Sequence, residues 1–232
     1  MPDKPLTGQT LSGWTIVFDL DGTLVETAPD LLGALNHVLA YEALAPVSLP
    51  AIRTMIGHGA KAMIREGLRQ NGVAVTEATV ERLWPLFIDY YHSHIADFSQ
   101  PFDGVVDVLS DLQADGAILA VCTNKTQALS DRLLAALDLI SGFQAVVGAD
   151  SVPNKKPDGD HILRTVTQAG GIPSRAIMVG DSRTDERAAL DAGLPFMFVT
   201  FGYEPAPPGE IEAAATINHF SEFWSALSGL VS

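Results

Sequence analysis

The chain has 232 residues, 47% hydrophobic and 18% charged, enough to bury a core in one or two domains. With 14 Lys and Arg against 28 Asp and Glu, its net charge of −14 argues against nucleic-acid or anionic-membrane partners. The single cysteine, Cys122, excludes an intrachain disulfide and fits a reducing compartment.

Residues 1–12 are polar, with Pro2, Pro5 and Gly8, and lack the apolar stretch of a secretory signal. No run approaches the ~18 apolar residues of a membrane span. A soluble, cytoplasmic protein is expected. The first strand signal is Ile16-Val17-Phe18, followed at once by Asp19-Leu20-Asp21-Gly22-Thr23-Leu24. From 26 to 100 the periodicity turns helical: 30–41 (Pro29 at its entrance), 49–56, 61–70 and 77–94, with Gly57 and Gly59 interrupting the second and third and Pro101 closing the segment. Strand and helix then alternate. Residues 117–122 read as a strand buried on both faces and 126–139 as a helix; 145–148 (strand), 160–169 (helix), 176–180 (strand), 183–192 (helix) and 196–200 (strand) continue the rhythm. A short edge strand at 216–217 and a closing helix over 220–230 complete it. This pattern predicts an α/β fold: a doubly wound, Rossmann-like parallel sheet built from 12–25 and 101–232, with a helical domain, 26–100, inserted after the first strand.

Four polar clusters fall at the ends of predicted strands. Asp19 and Asp21 close the first. Two carboxylates at the end of a buried strand are costly unless paired or metal-bound, and this end of a parallel sheet is where ligands bind. Thr123-Asn124-Lys125 follows the second strand, where a hydroxyl and main-chain N–H groups suit a phosphate. Lys155-Lys156-Pro157 offers an ammonium to neutralise a phosphoryl group. Gly180-Asp181-Ser182-x-x-Asp185 offers further carboxylates for a hard divalent ion. Each has a plain alternative by itself: an Asp-Gly turn, an N-capped turn, a solvated basic turn, an Asp at a helix start. Four of them at one edge of one sheet form a coherent phosphoryl-transfer site.

In their order and spacing these clusters resemble the four motifs of the haloacid dehalogenase superfamily, over residues 16 to about 203, and the helical segment resembles that family's C1 cap. The resemblance implies a magnesium-dependent phosphatase. Asp19 would be the nucleophile and form an aspartyl-phosphate. Asp21 would protonate the leaving alkoxide and later deprotonate water, and its presence separates phosphate-ester chemistry from dehalogenation. Asp19, Asp181 and the Asp21 main-chain carbonyl would hold Mg2+, with Asp185 and Ser182 behind them. Thr123, Asn124 and Lys156 would hold the phosphoryl group, Lys156 rather than Lys155 because it precedes the proline.

Further similarity lies in Ile56-Gly57-His58-Gly59-Ala60, Asn154-Lys155-Lys156-Pro157 and Thr200-Phe201-Gly202-Tyr203. It points to phosphatases of small phosphorylated organic acids, with 2-phosphoglycolate first. Sugar phosphates, pyrophosphate, a phosphomutase and a non-catalytic module stand as alternatives. Gly57, His58, Gly59 and Arg53 are the candidate substrate contacts in the cap, where donors would meet a carboxylate. A monomer or homodimer acting on a small-molecule phosphate ester is expected. Lys61, Arg65 and Arg69 read as a solvated helix face, His92 and His94 as an exposed helix end, and Cys122 as a buried small side chain.

Overall fold

The computed structural model describes residues 11–204 and 210–231. The polar N-terminal reading therefore lies almost wholly outside the described residues. In chain order the elements are β1 (Thr15–Phe18), β2 (Val25–Glu26), α1 (Ala28–Tyr41), α2 (Leu49–Ile52), α3 (Ala60–Gln70), α4 (Glu77–Ser93), β3 (Gln100–Pro101), α5 (Val105–Ala114), β4 (Ile118–Cys122), α6 (Gln127–Ala136), β5 (Ala145–Val147), α7 (Gly159–Gln168), β6 (Ala176–Gly180), α8 (Arg183–Ala192), β7 (Phe196–Val199), β8 (Ala215–Ile217) and α9 (Phe223–Ser228). Among the described residues no helix is long and apolar enough to cross a membrane.

The main sheet is parallel throughout, in the order β5-β4-β1-β6-β7-β8. β1 lies between β4 and β6, with Thr15 in register with both Ile118 and Ala176. All four of its residues are buried, because alternate side chains feed two different cores. Ile16 and Phe18 join Leu119, Val121, Ile177 and Val179 on one face, over Phe223 and Trp224. Val17 joins Ala120, Cys122 and Met178 on the other, under Ile162 and Ala188. Cys122 is buried, as expected, and burial pushes its thiol up to about 12.

Helices α1, α3 and α4 pack together over the sheet's C-terminal edge, their buried residues continuous with the larger core. The two connections to this layer, β2 and β3, run side by side as an antiparallel ribbon, Val25 opposite Pro101 and Glu26 opposite Gln100. The second helix is shorter than its expected 49–56: it gives way to a 3-10 turn, Arg53–His58, before Gly59 at φ +91°. α4 carries Pro85 within it and ends at Ser93, well before Pro101. α5 goes beyond the expected elements, with Val105, Val108, Leu109 and Leu112 making one buried stripe. The closing helix is split into a 3-10 turn, Phe220–Glu222, and α9. Lys61 and Arg65 are half-buried and Arg69 is exposed, and they pair with Glu81, Glu77 and Glu66, in keeping with a solvated face.

Candidate active site

Three carboxylates and one ammonium meet where β1 and β6 end. The main-chain N–H of Asp19 donates to the Val179 carbonyl at 2.9 Å, so the pairing of β1 with β6 continues into the loop and fixes Asp19 beside Asp181. Carboxylate oxygens of Asp19, Asp181 and Asp185 lie within 4.8 Å of one another. The Lys156 ammonium sits 2.9 Å from Asp19 Oδ1 and donates to Asp185 Oδ1 at 2.6 Å. Lys156 is 2% exposed, while its neighbour Lys155 is exposed to solvent. The local reason is that His161 Nδ1 accepts from the Lys156 main chain at 3.2 Å and Asn124 Nδ2 donates to its carbonyl at 2.9 Å, turning this lysine inward.

Asp185 is spent on its neighbours. Its Oδ1 holds Lys156, and its Oδ2 accepts from the N–H and hydroxyl of Ser182, which with Asp185 forms the capping box that starts α8. Asp181 accepts from Thr23 Oγ1 at 3.2 Å and the Tyr203 N–H at 2.7 Å. The loop after β1 must come very close: Gly22 has φ +88°, and a Cβ there would lie 2.5 Å from Asp181 Oδ2. Burial pushes the Asp19 carboxyl up to about 7, against the pull of Lys156. Burial, with Asp185 and Asp19 adding to it, also holds Asp181 well above the usual carboxylate range.

These residues fit a divalent cation. Three buried or nearly buried carboxylates against one ammonium leave an excess of negative charge, costly without a cation. Asp19 Oδ1 is buried and, although close to Lys156, lies outside hydrogen-bond geometry. Asp185 holds an ammonium and two groups of Ser182, whereas Asp181 accepts only one hydroxyl and one main-chain N–H, so Asp19 and Asp181 are the carboxylates that could ligate. The Asp21 carboxylate, by contrast, turns away from the cluster, so only its main chain remains for a metal. Its Oδ1 accepts from Thr27 Oγ1 at 2.6 Å, and both oxygens accept from Lys125 Nζ, at 2.8 and 3.0 Å.

The cleft between sheet edge and helices has two lobes that share Asp19, Asn124 and Gly57. The smaller, about 30 Å³, holds the carboxylate cluster with Ser182, Tyr203 and His58. The larger, about 130 Å³, runs past Asp21 and Thr123 to the apolar walls of α3 and α4, with Gly59 at its rim. Thr123 is buried, and its hydroxyl accepts from the Lys125 N–H at 3.1 Å. Gly57, His58 and Gly59 are exposed but line these lobes. Arg53 lines neither; its guanidinium donates to the carbonyls of Phe201 (3.3 Å) and Gly202 (3.0 Å) and lies over the Tyr203 ring.

Two residues had no predicted role. Lys125, its side chain 5% exposed, reaches both Asp21 and Tyr91 Oη; its place directly after Thr123 and Asn124 at the same strand end was the available signal. Tyr203 touches Asp181 through its main chain, while its hydroxyl donates to Glu26 and accepts from the N–H groups of Thr27 and Ala28. Nothing in the residues around it announces that reach.

A parallel sheet carrying a carboxylate-lysine cluster at its C-terminal edge, roofed by inserted helices, defines a hydrolase of the phosphotransferase type. Residues 16–199 match the haloacid dehalogenase-like hydrolase family, to which this chain belongs. It is 49% identical over 210 residues to the phosphoglycolate phosphatase of Caulobacter vibrioides, covering 90% of this chain and 89% of that protein. It is 41% identical to the enzyme of the same name from Agrobacterium fabrum, covering 96% and 95%. A crystal structure of a predicted phosphoglycolate phosphatase from Haemophilus somnus 129pt superimposes with a TM-score of 0.86 at 29% identity, covering 95% of this chain and all of that one.

Proposed function

We propose that this protein is a magnesium-dependent phosphatase that hydrolyses 2-phosphoglycolate to glycolate and phosphate through an aspartyl-phosphate. The observation that carries the reading is Asp19: a carboxylate at the mouth of β1, 2.9 Å from the Lys156 ammonium and on the boundary of both lobes. The names of the similar proteins from Caulobacter and Agrobacterium supply the substrate.

An Asp19 oxygen attacks phosphorus, the P–O bond to glycolate breaks, and Asp21 gives its proton to the departing alkoxide. Water then attacks the aspartyl-phosphate while Asp21 takes a proton from it, and phosphate and free Asp19 result. Lys156 neutralises the phosphoryl oxygens during both steps, and Asp185 and His161 keep it in place. Thr123 and Asn124 stand at the phosphate end of the cleft. Thr27 and Lys125 orient the Asp21 carboxyl. Magnesium, held by Asp19, Asp181 and the Asp21 carbonyl, would supply the charge that ionises the buried carboxylates and draws the phosphoryl oxygens. We take 26–100 as the cap, with the β2–β3 ribbon as its hinge, His58 as a cap contact to substrate, and the enzyme as a cytoplasmic monomer or homodimer with no nucleic-acid or membrane partner.

Phosphate release from 2-phosphoglycolate should exceed that from hexose phosphates by orders of magnitude, and Asp19→Asn should abolish it while circular dichroism and the melting profile stay those of a folded protein. Turnover by Asp19→Asn, or faster release from hexose phosphates, defeats the nucleophile or the substrate respectively.

A further inference from the structure

We propose that Lys125 and Tyr91 together form the receptor for the carboxylate of the substrate. The inference rests on the phosphoglycolate reading of this same site. The larger lobe is walled by Met63, Trp84, Phe87, Ile88 and Leu129, and Lys125 is the one lysine or arginine among the described residues that lines it. A carboxylate enters such surroundings only beside a cation. The other cations near the chemistry do not face this lobe: Lys156 lies between Asp19 and Asp185, and Arg53 is bound to main-chain carbonyls of the loop after β7.

Geometry places Lys125 where the carboxylate must go. The leaving oxygen has to meet Asp21 to receive its proton, and in 2-phosphoglycolate a single methylene separates that oxygen from the carboxyl carbon. The ammonium of Lys125 is 2.8 Å from Asp21 Oδ1, 2.9 Å from Tyr91 Oη and over the Tyr91 ring. A substrate carboxylate would take over the N–H that now reaches the more distant Asp21 oxygen, at 3.0 Å, while the 2.8 Å contact keeps Asp21 oriented. The Tyr91 phenol accepts from Lys125 and so keeps its own O–H to donate. Burial pushes that phenol up to about 12, which leaves it protonated at working pH. Lys125 rises from the loop after β4 and Tyr91 descends from α4, so a bound carboxylate bridges sheet and cap.

The test compares kcat/KM for 2-phosphoglycolate and for ethyl phosphate, the ester lacking the carboxylate, in the intact enzyme. The wild type should prefer phosphoglycolate by at least roughly a hundredfold, since an ester without the acid leaves buried polar groups unpaired. In Lys125→Met both rates fall, because Asp21 loses a partner, but the preference itself should drop by about tenfold to a hundredfold, the worth of a charge-assisted hydrogen bond. Tyr91→Phe keeps the ring packing and should lower the preference severalfold, and it decides the matter if Lys125→Met does not fold. Variants that slow both esters equally, with the preference intact, overturn the receptor while leaving the substrate standing. A wild type without preference overturns the substrate reading and the receptor with it.

Discussion

Lys155 and Lys156 are adjacent and chemically identical, yet one is exposed and the other is buried against Asp19 and Asp185. Lys156→Met should therefore remove nearly all turnover and destabilise the fold by about 3 kcal/mol, because it strands buried carboxylates. Lys155→Met should leave kcat within about twofold and the urea midpoint unchanged, as for most surface substitutions. His161 makes a second, pH-dependent claim. Its Nε2–H faces the Val147 carbonyl and its Nδ1 accepts from Lys156, which requires the neutral ring, and burial, with Lys156 adding to it, lowers it to about 4. The unfolded chain binds a proton near 6.5, so stability should be lost as pH falls from 6.5 toward 4, by up to about 3 kcal/mol. Urea midpoints taken down that range should fall more steeply for the wild type than for His161→Gln; parallel slopes would refute the assignment. At this scale the sequence was legible where chemistry repeats at strand ends, as at Asp19, Asp181 and Asp185. It was illegible where a side chain's partner comes from a distant element. His161 and Lys125 are polar residues in loops or helix starts, and only the fold says that one holds the buried Lys156 inward and the other faces α4.

Tyr203 couples elements. α1 begins at Ala28 with no side-chain cap from its own N-cap residue, Thr27, and the Tyr203 hydroxyl accepts from the N–H of both residues, at 2.6 and 2.9 Å. The helix that opens the inserted layer is thus capped from the loop after β7. Tyr203→Phe should cost about 1–2 kcal/mol by urea denaturation, the loss typical of a cap or of a buried hydrogen bond. An unchanged midpoint would show that the hydroxyl caps nothing. At the same end of the ribbon, Asp30 in the first turn of α1 is buried and accepts from the main chain of Phe98 and Ser99 just before β3. Alternating apolar runs made the parallel sheet readable. The two-residue strands β2 and β3 escaped because their pairing is set across some 75 residues rather than by local pattern. α5 escaped for a different reason: its Val105 and Val106 open it with β-branched residues, a weak helix signal until its buried stripe finds the sheet.

For the molecule as a whole, a cation held by the carboxylate cluster would make folding and cation binding one equilibrium. Metal-free protein should gain stability on adding magnesium, by about 2.7 kcal/mol at a hundred times the dissociation constant. Because Asp19 is pushed to about 7 and Asp181 also upward, protons compete with the metal, and the gain in melting temperature should be larger at pH 8 than at pH 6. Asp181→Asn should lose both the gain and its pH dependence; a gain that survives places the ion elsewhere. The topology carries a further consequence for synthesis on the ribosome. β1 is made early, but its neighbours β4 and β6 lie about a hundred and a hundred and sixty residues downstream. At roughly 5–20 residues per second its three apolar residues wait on the order of ten seconds or more for both partners. An emerging chain stopped before residue 176 therefore leaves β1 and Asp19 with no strand on one side, and should bind a holdase more readily than the full-length chain does.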